Sequence, residues 1–539
     1  MKTINRIILL ALIATTTMAT HAQTGTYSWT NLPKVQVPIF KKDTIQITQF
    51  GAKPDGITLN TEAINKAIDA CSKQGGGVVY IPQGIWMTGP IELKSNVNLH
   101  VSRAALLQFT GDKSQYKLIE SHFEGRKTVR NQAPISGTDL ENIAITGEGV
   151  IDGNGDVWRA VKKDKLTEGE WQRLVASGGI VRADGKMWYP SEAFMQAEEK
   201  KIVVAGTTPK DYEVIKDFLR PNMIKLTNCK KVLLQQATFQ NSPAWCLHPL
   251  YCEHLTIDGV KVRNPSYAQN GDGLDIESCS YVEVKNSTLD CGDDGICIKS
   301  GKDEEGRKAG KASQYIIIRN NVVYHGHGGF VIGSEMSGGA HDIFVSDCTF
   351  IGTDIGLRFK TTRGRGGIVE NIYIRNINMR NIGNDAILFD MYYFAKAQPI
   401  GTKIEIPPID AGTPQFRKFY ISNVVCEGAD RAMLIRGLPE MSIKDIELSD
   451  VVIKSRRGAE VVEASGVSLT NVLLHCDLSS PLINIENSQN LVFSKVRALT
   501  APKQFYSVNG ERSREIRVDS EASVIFNYGA KEEAVRVGR

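Results

Sequence analysis

One short pattern recurs along this chain and limits its possible folds more than any other feature. An apolar residue, any residue and a second apolar residue form a unit, usually preceded by a polar residue and followed by Asn or Asp. It occurs at Ile143 to Ile145, Val232 to Leu234, Leu255 to Ile257, Val282 to Val284, Ile316 to Ile318 and Ile343 to Val345. It continues at Ile372 to Ile374, Phe419 to Ile421, Ile446 to Leu448, Val467 to Leu469 and Leu491 to Phe493. From Val232 onward the units start 23, 27, 34, 27, 29, 47, 27, 21 and 24 residues apart. Alternation with period two marks each unit as a half-buried strand. A repeat of this length with no helix between the strands marks a solenoid. The spacing of 34 reads as an insertion and that of 47 as two turns or one large loop. Stacked coils pair each strand with its own copy one turn on, so the strands are parallel and the interior fills with aliphatic ladders. The expected fold is all-β, a right-handed parallel β-helix. A leucine-rich repeat would need a leucine spacing and an asparagine position that are absent.

Such an architecture accommodates 539 residues in one unit, where ~150 residues per domain would suggest three or four. A hydrophobic content of 42% with 49 glycines suits many short strands joined by tight turns. The net charge of +4 excludes a strongly basic nucleic-acid binder and leaves room for a locally basic site facing an acidic polymer. Residues 1–22 are not part of the expected fold. Lys2 and Arg6 precede an apolar run from Ile7 to Ala14, and Thr20-His21-Ala22 offers small residues for cleavage. This is the pattern of a secretory signal peptide cut after Ala22, leaving 23–539 as a single domain in the periplasm or outside. No cysteine follows the cut and no later run of 18 apolar residues exists, so neither a lipid anchor nor a membrane span is expected. The ten cysteines form no Cys-x-x-Cys pair, which argues against structural zinc. Buried thiols are expected, with one or two disulfides open after export and Cys246 with Cys252 the nearest candidate pair.

A solenoid needs covered ends. Thr61 to Ser72 places Ala63, Ile64, Ala67, Ile68 and Cys71 on one helical face, with Thr61 as N-cap and Gly75 to Gly77 as the stop. This helix is expected to cap the first coils, which begin with strands at Val78 to Tyr80 and Asn96 to Val101. Residues 155–219 break the repeat. Their helix-like stretches, Glu168 to Ala176 and Ser191 to Glu199, and their Trp158, Trp171, Trp188 and Tyr189 read as an insertion projecting from one coil.

The candidate chemistry lies between Asn270 and Lys360. Asn270, Asp272 and Asp275 come first, then Asp293 and Asp294 about one coil later, then Gly326-His327-Gly328, and then Arg358-Phe359-Lys360. Asp272 and Asp293, 21 residues apart, should stack on neighbouring coils at about 5 Å. Strand alternation points Arg358 and Lys360 to one side. Cleaving a glycosidic bond needs one carboxylic acid for the leaving oxygen and one carboxylate to activate water or attack. Crowded aspartates repel, so at least one should hold a proton near neutral pH. Paired cations beside them suit a carboxylate on the substrate.

In this order the four motifs resemble glycoside hydrolase family 28, the polygalacturonases, which share Asn-x-Asp, Gly-Asp-Asp, Gly-His-Gly and Arg-x-Lys on a parallel β-helix. The likeness extends from Gln49 onward to beyond residue 376 and departs at Gly271, where fungal members commonly carry Thr. The resemblance implies inverting hydrolysis of α-linked galacturonic acid with no cofactor and no metal. It implies Asp293 as general acid, Asp272 and Asp294 positioning and deprotonating the attacking water, and His327 tuning protonation, with His325 the rival imidazole. Arg358 and Lys360 would grip a galacturonate carboxylate, Asn270 would help bind substrate, and Tyr392 would line the sugar site, with Tyr393 nearly as eligible. The expected partner is a pectic polysaccharide or oligogalacturonide, met by a monomer.

Residues 302–308, 333–339 and 360–372 resemble exo-acting bacterial members, so release of terminal residues from polygalacturonate or rhamnogalacturonan oligosaccharides is expected. Exo action needs a wall across the groove, for which 155–219, 302–312 and 391–415 are candidates, with Arg363 and Arg365 reaching a terminal uronate. Endo-polygalacturonase and rhamnogalacturonan hydrolase remain alternatives within the family. A calcium-dependent pectate lyase and a non-catalytic carbohydrate-binding β-helix are the readings from outside it.

Overall fold

The computed structural model describes residues 27–204, 206–393, 395, 399, 401–402, 405–519 and 522–538. The signal peptide expected over 1–22 lies outside the described residues. Two units divide the chain: Met1–Leu32, whose described part holds a Ser28–Asn31 bridge, and Pro33–Arg539, which carries the β-helix.

Every apolar unit read from the sequence is a strand, and each pairs in parallel with the next in the register the spacing implies. Val232 lies opposite Leu255, Leu255 opposite Val282, Val282 opposite Ile316, and Ile316 opposite Ile343. Ile372 pairs directly with Phe419, so the spacing of 47 is one coil with a large loop. The 34-residue spacing holds a short helix, Asp303–Ala309. The Asn or Asp after each unit has a local cause. Asn286, Asn320, Asp347, Asn376, Asn423, Asp450 and Asn471 all adopt positive φ, between 52° and 56°. These two residue types tolerate the left-handed turn because their short polar side chains bond nearby. They also stack: the Asn320 amide donates to Asn286 Oδ1 at 2.7 Å, and that of Asn286 to Asp258 Oδ1 at 2.7 Å.

The interior is one continuous aliphatic core running from Ile47 to Val518. Helix α1, Thr61–Lys73, buries Ile64, Ala67, Ile68 and Cys71 against its N-terminal end, as expected, although the N-cap position is Asn60 and not Thr61. Strands at the C-terminal end continue the stack, Ile483–Tyr506 and Tyr506–Val524 being in register. All ten cysteines are buried and free, so no disulfide forms between Cys246 and Cys252. The Cys252 backbone N–H instead donates to Cys279 Sγ at 3.3 Å, in a ladder of thiols one coil apart. Among the described residues no helix is long and apolar enough to cross a membrane.

The inserted segment folds largely as its sequence suggests. Helices α2 (Glu168–Ala176) and α3 (Glu192–Glu199) start at capping residues Thr167 and Ser191, and Trp171, Trp188 and Tyr189 bury in small clusters of their own. Leu118 and Val129 pack with Ala197, Ile215 and Leu219. Leu118 and Val129 belong to an antiparallel hairpin, Leu118–Phe123 with Arg126–Asn131, that lies outside the apolar repeat. Its two-residue turn, Glu124-Gly125, has positive φ at both positions (49° and 72°), as a tight hairpin requires.

Candidate active site

Six strands of one sheet position the candidate groups: β1 (Leu247–Leu250), β2 (Leu274–Glu277), β3 (Asp294–Lys299), β4 (Gly328–Ile332), β5 (Leu357–Lys360) and β6 (Asp385–Asp390). Their inward residues, such as Ile276, Ile298, Ile332 and Phe359, build the ladder, and the intervening ones face outward. Leu274 pairs with Ile296 and Ile276 with Ile298, an offset of 22 and not 21. Asp272 therefore stacks toward Asp294, with Asp293 turned out one residue earlier. All three still meet, with oxygens within 4.8 Å of one another.

Asp294 is the most constrained of them. Its side chain is 2% exposed, its Oδ1 accepts from the Arg358 guanidinium at 2.9 Å, and its Oδ2 accepts from Lys360 Nζ at 2.8 Å. Burial would raise its pKa, but the charges of Lys360 and Arg358 outweigh that and hold it well below the usual carboxylate range. Alternation does place Arg358 and Lys360 on one side, and both point at Asp294.

Asp293 makes a different contact. Its Oδ1 lies 3.0 Å from His327 Nδ1. Burial acts to raise the Asp293 pKa, yet the hydrogen bond from His327 together with the charges of His327 and Lys360 lowers it, while the same bond raises that of His327. These opposite shifts favour a charged imidazole beside an ionised carboxylate. His327 Nε2 faces Asp354 at 3.7 Å. His325 is elsewhere: its ring bonds Asp290 at 2.8 Å and is 60% exposed, so His327 is the imidazole of the site.

The proton expected on one crowded aspartate falls on Asp272. Burial, then the charges of Asp275 and Asp293, push its pKa well above the ordinary value, against the opposing pull of Lys299. Asp275, fully buried, is raised by burial to about 7. Lys299 lies among these groups, 3.1 Å from Asp275, 3.7 Å from Asp272 and 3.8 Å from Glu335, with its ammonium 3.7 Å over the Trp245 ring. Lys299, Glu335 and Trp245 were not singled out from the sequence. Lys299 sits two residues after Cys297 in β3, so strand alternation alone would have turned it to the site face.

The remaining candidates divide. Asn270 has φ 52° and its Oδ1 accepts from Arg220 at 2.8 Å, which braces the turn leading into Asp272. Tyr393, not Tyr392, is the tyrosine beside the cations: Lys360 Nζ and the Arg358 guanidinium lie 5.0 and 5.9 Å from its ring centre. Tyr392 lies under Arg363 and Arg436 at 5.2 and 5.4 Å. Arg363 is paired with Glu440, and Arg365 is buried against Asp303 and the Ser334 carbonyl. Neither arginine is free to meet a terminal uronate. The three aspartates are near enough together to share a cation. Both Asp294 oxygens, however, are held by positive side chains and Asp293 by His327, so the donor set does not suit a divalent ion.

On its N-terminal side the site is walled. Phe123 of the hairpin stacks on Trp245, with ring centres 5.2 Å apart and planes inclined by 20°. Trp245 in turn meets His248 edge-on at 4.9 Å. Beneath them His248 bonds Glu277 at 2.7 Å, and Lys225 Nζ donates to His248 Nδ1 at 2.9 Å. Burial pushes His248 down to about 3; burial would raise Glu277, but its bond to His248 and the charges of Lys225 and Lys299 together hold it at about 2, so a neutral imidazole links a cation to an anion. The hairpin tip is tied to helix α4, Asp303–Ala309. Lys302 N–H donates to the Gly125 carbonyl at 3.0 Å, Lys127 N–H donates to Glu305 at 2.8 Å, and Arg126 pairs with Asp303. Of the three expected wall segments, 302–312 takes part directly and 155–219 braces the hairpin base through Lys216 and Leu219 carbonyls bonded to Asn131.

Known proteins match this chain and its fold. The model of glycosyl hydrolases family 28 matches residues 166–411, and one described as rhamnogalacturonase A/epimerase, pectate lyase-like, matches 44–151. A probable polygalacturonase of Vitis vinifera is 30% identical over 424 residues, covering 76% of this chain and 73% of that protein. An exo-poly-alpha-D-galacturonosidase of Dickeya chrysanthemi is 29% identical over 503 residues, covering 91% and 76%. The crystal structure of an exopolygalacturonase from Thermotoga maritima superposes with a TM-score of 0.66 at 30% identity, covering 85% of this chain and 94% of that one.

Proposed function

The chain belongs to glycosyl hydrolase family 28 and is a glycoside hydrolase, and from that premise we propose that it removes galacturonate residues one at a time from the end of a pectic chain. The observation that carries the exo reading is the wall: Phe123, Trp245 and the tied hairpin close the groove beside Asp272, where an endo-acting enzyme needs it open. The named activity of the Dickeya and Thermotoga relatives points the same way. All the groups required come from one chain, which suits action as a monomer after export.

In this reading the four titrating groups form two pairs, each holding one proton. His327 holds the first, and Asp293 passes it on to the glycosidic oxygen as the bond to the anomeric carbon breaks. Asp272 and Asp294 hold the second on Asp272, so that neutral Asp272 orients the attacking water and charged Asp294 accepts its proton. Arg358 and Lys360 also face the substrate. A galacturonate carboxylate competing for them loosens their grip on Asp294 and makes it a better base at the moment it is needed.

The close approach of the carboxylates bears on stereochemistry. Retaining enzymes set their two carboxyl groups about 5–5.5 Å apart and inverting ones about 6.5–9.5 Å, and here the oxygens lie within 4.8 Å. A retaining mechanism needs a free carboxylate nucleophile, however. Asp294 has both oxygens occupied and Asp272 is protonated and 2% exposed, so water is the attacking group and inversion the outcome. The test is product analysis on polygalacturonate and rhamnogalacturonan oligosaccharides, with wild type beside Asp293→Asn. Monomeric galacturonate as the sole early product, falling ~10²–10⁴-fold in the variant, is expected. A ladder of oligomers from the start would overturn the exo reading.

A further inference from the structure

A second cavity, of about 870 Å³, lies on the far side of the hairpin from the carboxylates. It is lined by the hairpin, by Thr207 and Tyr212 after α3, and by the outward sheet residues Ser136 and Lys225; neither Trp245 nor any candidate catalytic aspartate lines it. Ser136 pairs with Lys225 and Lys225 with His248, which places the cavity coils away toward the N-terminus.

Five cations line it: Lys94, Lys117, Lys127, Arg130 and Lys225. Among the described residues none of the five has an acidic partner within ion-pair distance, whereas Lys299, Arg358, Lys360 and Arg365 at the neighbouring site all do. Arg130 is the telling one. Its guanidinium stacks on Phe123 at 3.7 Å, its Nε is buried with no hydrogen-bond partner, and burial pushes its pKa down to about 9. Lys225 is pushed down to about 8 by burial and donates to the His122 carbonyl and to His248. Two carboxylates also line the cavity: Glu92, which accepts from Gln132 at 2.8 Å, and Glu120, which is exposed.

A desolvated cation without a counter-charge is costly, and a protein that keeps one beside a cavity gains the missing partner from a ligand. The five charges come from four segments around the cavity, Lys127 and Arg130 sharing one strand, so they suit several anionic groups spaced along one molecule. The volume lies in the ordinary range for a bound small molecule, ~300–1,000 Å³. We propose that this cavity is a second binding site, distinct from the hydrolytic centre, for an acidic oligosaccharide bearing several carboxylates. That the ligand is a stretch of galacturonan rests on the function proposed above.

Calorimetric titration of trigalacturonate into the full-length Asp293→Asn protein tests it, with maltotriose and sodium sulfate as parallel titrants. Two trigalacturonates per chain are expected, with no second-site heat from maltotriose. Adding Arg130→Ala, or the exposed Lys117→Ala, should weaken one of the two sites at least tenfold and leave the other unchanged. In the otherwise wild-type enzyme Lys117→Ala, which lies outside the wall, should not alter turnover of digalacturonate. A single site per chain, two sites indifferent to both substitutions, or sulfate saturating the second site as tightly as trigalacturonate would each overturn the proposal. A chain inactive on every pectic substrate but still showing the Arg130-dependent heat would keep the second site and sink the hydrolytic reading.

Discussion

Replacing Lys360 by Met separates two roles that the same side chain can play. If Lys360 serves the substrate carboxylate alone, the variant binds substrate poorly and converts what it binds at the normal rate. The structure gives it a second task, because its ammonium donates to Asp294 Oδ2 at 2.8 Å in a site where Asp294 is 2% exposed. A hydrogen bond to a charged group is worth about 1.5–3 kcal/mol, and 1.36 kcal/mol corresponds to about one pKa unit. Losing it should therefore raise the Asp294 pKa by about 1–2 units, Arg358 still holding the other oxygen. The sign follows directly: Lys360 favours the ionised form, so its removal favours the protonated one and the base is lost first at low pH. The acidic limb of kcat should move up by about 1–2 pH units, with kcat below that limb reduced by the same one to two powers of ten. Initial rates of galacturonate release, measured from pH 3 to 8 for wild type and Lys360→Met, provide the readout. A tenfold or greater rise in KM with kcat and its acidic limb unmoved would refute the reasoning.

Three other outcomes are expected. Proton NMR of the first product should show the β-anomer of galacturonate appearing before mutarotation; early α-anomer would establish retention and a carboxylate nucleophile. Lys299→Met strands buried Asp272 and Asp275 and the half-buried Glu335 without their shared cation, and breaking a buried pair by removing one partner costs about 3–5 kcal/mol. Its urea midpoint should fall clearly at pH 8 and be partly restored by adding Asp275→Asn, and an unchanged midpoint would show that the lysine carries no such load. Phe123→Ala removes the ring stacked on Trp245, so polygalacturonate digests should gain oligomers beside the monomer; a product profile identical to wild type would place the end wall elsewhere.

Which side chains share a face was legible because the coil is a clock. Ile316 follows Val282 by 34 residues yet pairs with it, since α4 loops out and the strand returns to register. The same regularity brings Asp272, Asp293, Asp294, His327, Arg358 and Lys360 to one face from their spacing alone. It misplaced Asp272 by one residue, because the count of 21 assumed equal coils and the register is 22. It also gave Arg363 and Arg365 a freedom that Glu440 and Asp303 remove. Both acidic partners are more than 60 residues away in sequence and reach the arginines from other segments.

The order of residues by itself determined the parallel coil, its aliphatic ladders, the Asn and Asp turns and the identity of the catalytic candidates. Each of these depends on local periodicity or on a separation of one coil. Only the tertiary structure decided what those candidates do to one another. The pairing of Arg358 and Lys360 with Asp294, the proton on Asp272, and the wall of Phe123 on Trp245 join segments up to 122 residues apart, held by burial and charge. No repeat encodes such contacts. An insertion that leaves the coil loses its register and takes up whatever position its own packing allows, so the closed end of the groove was invisible until the hairpin and α4 were seen to meet.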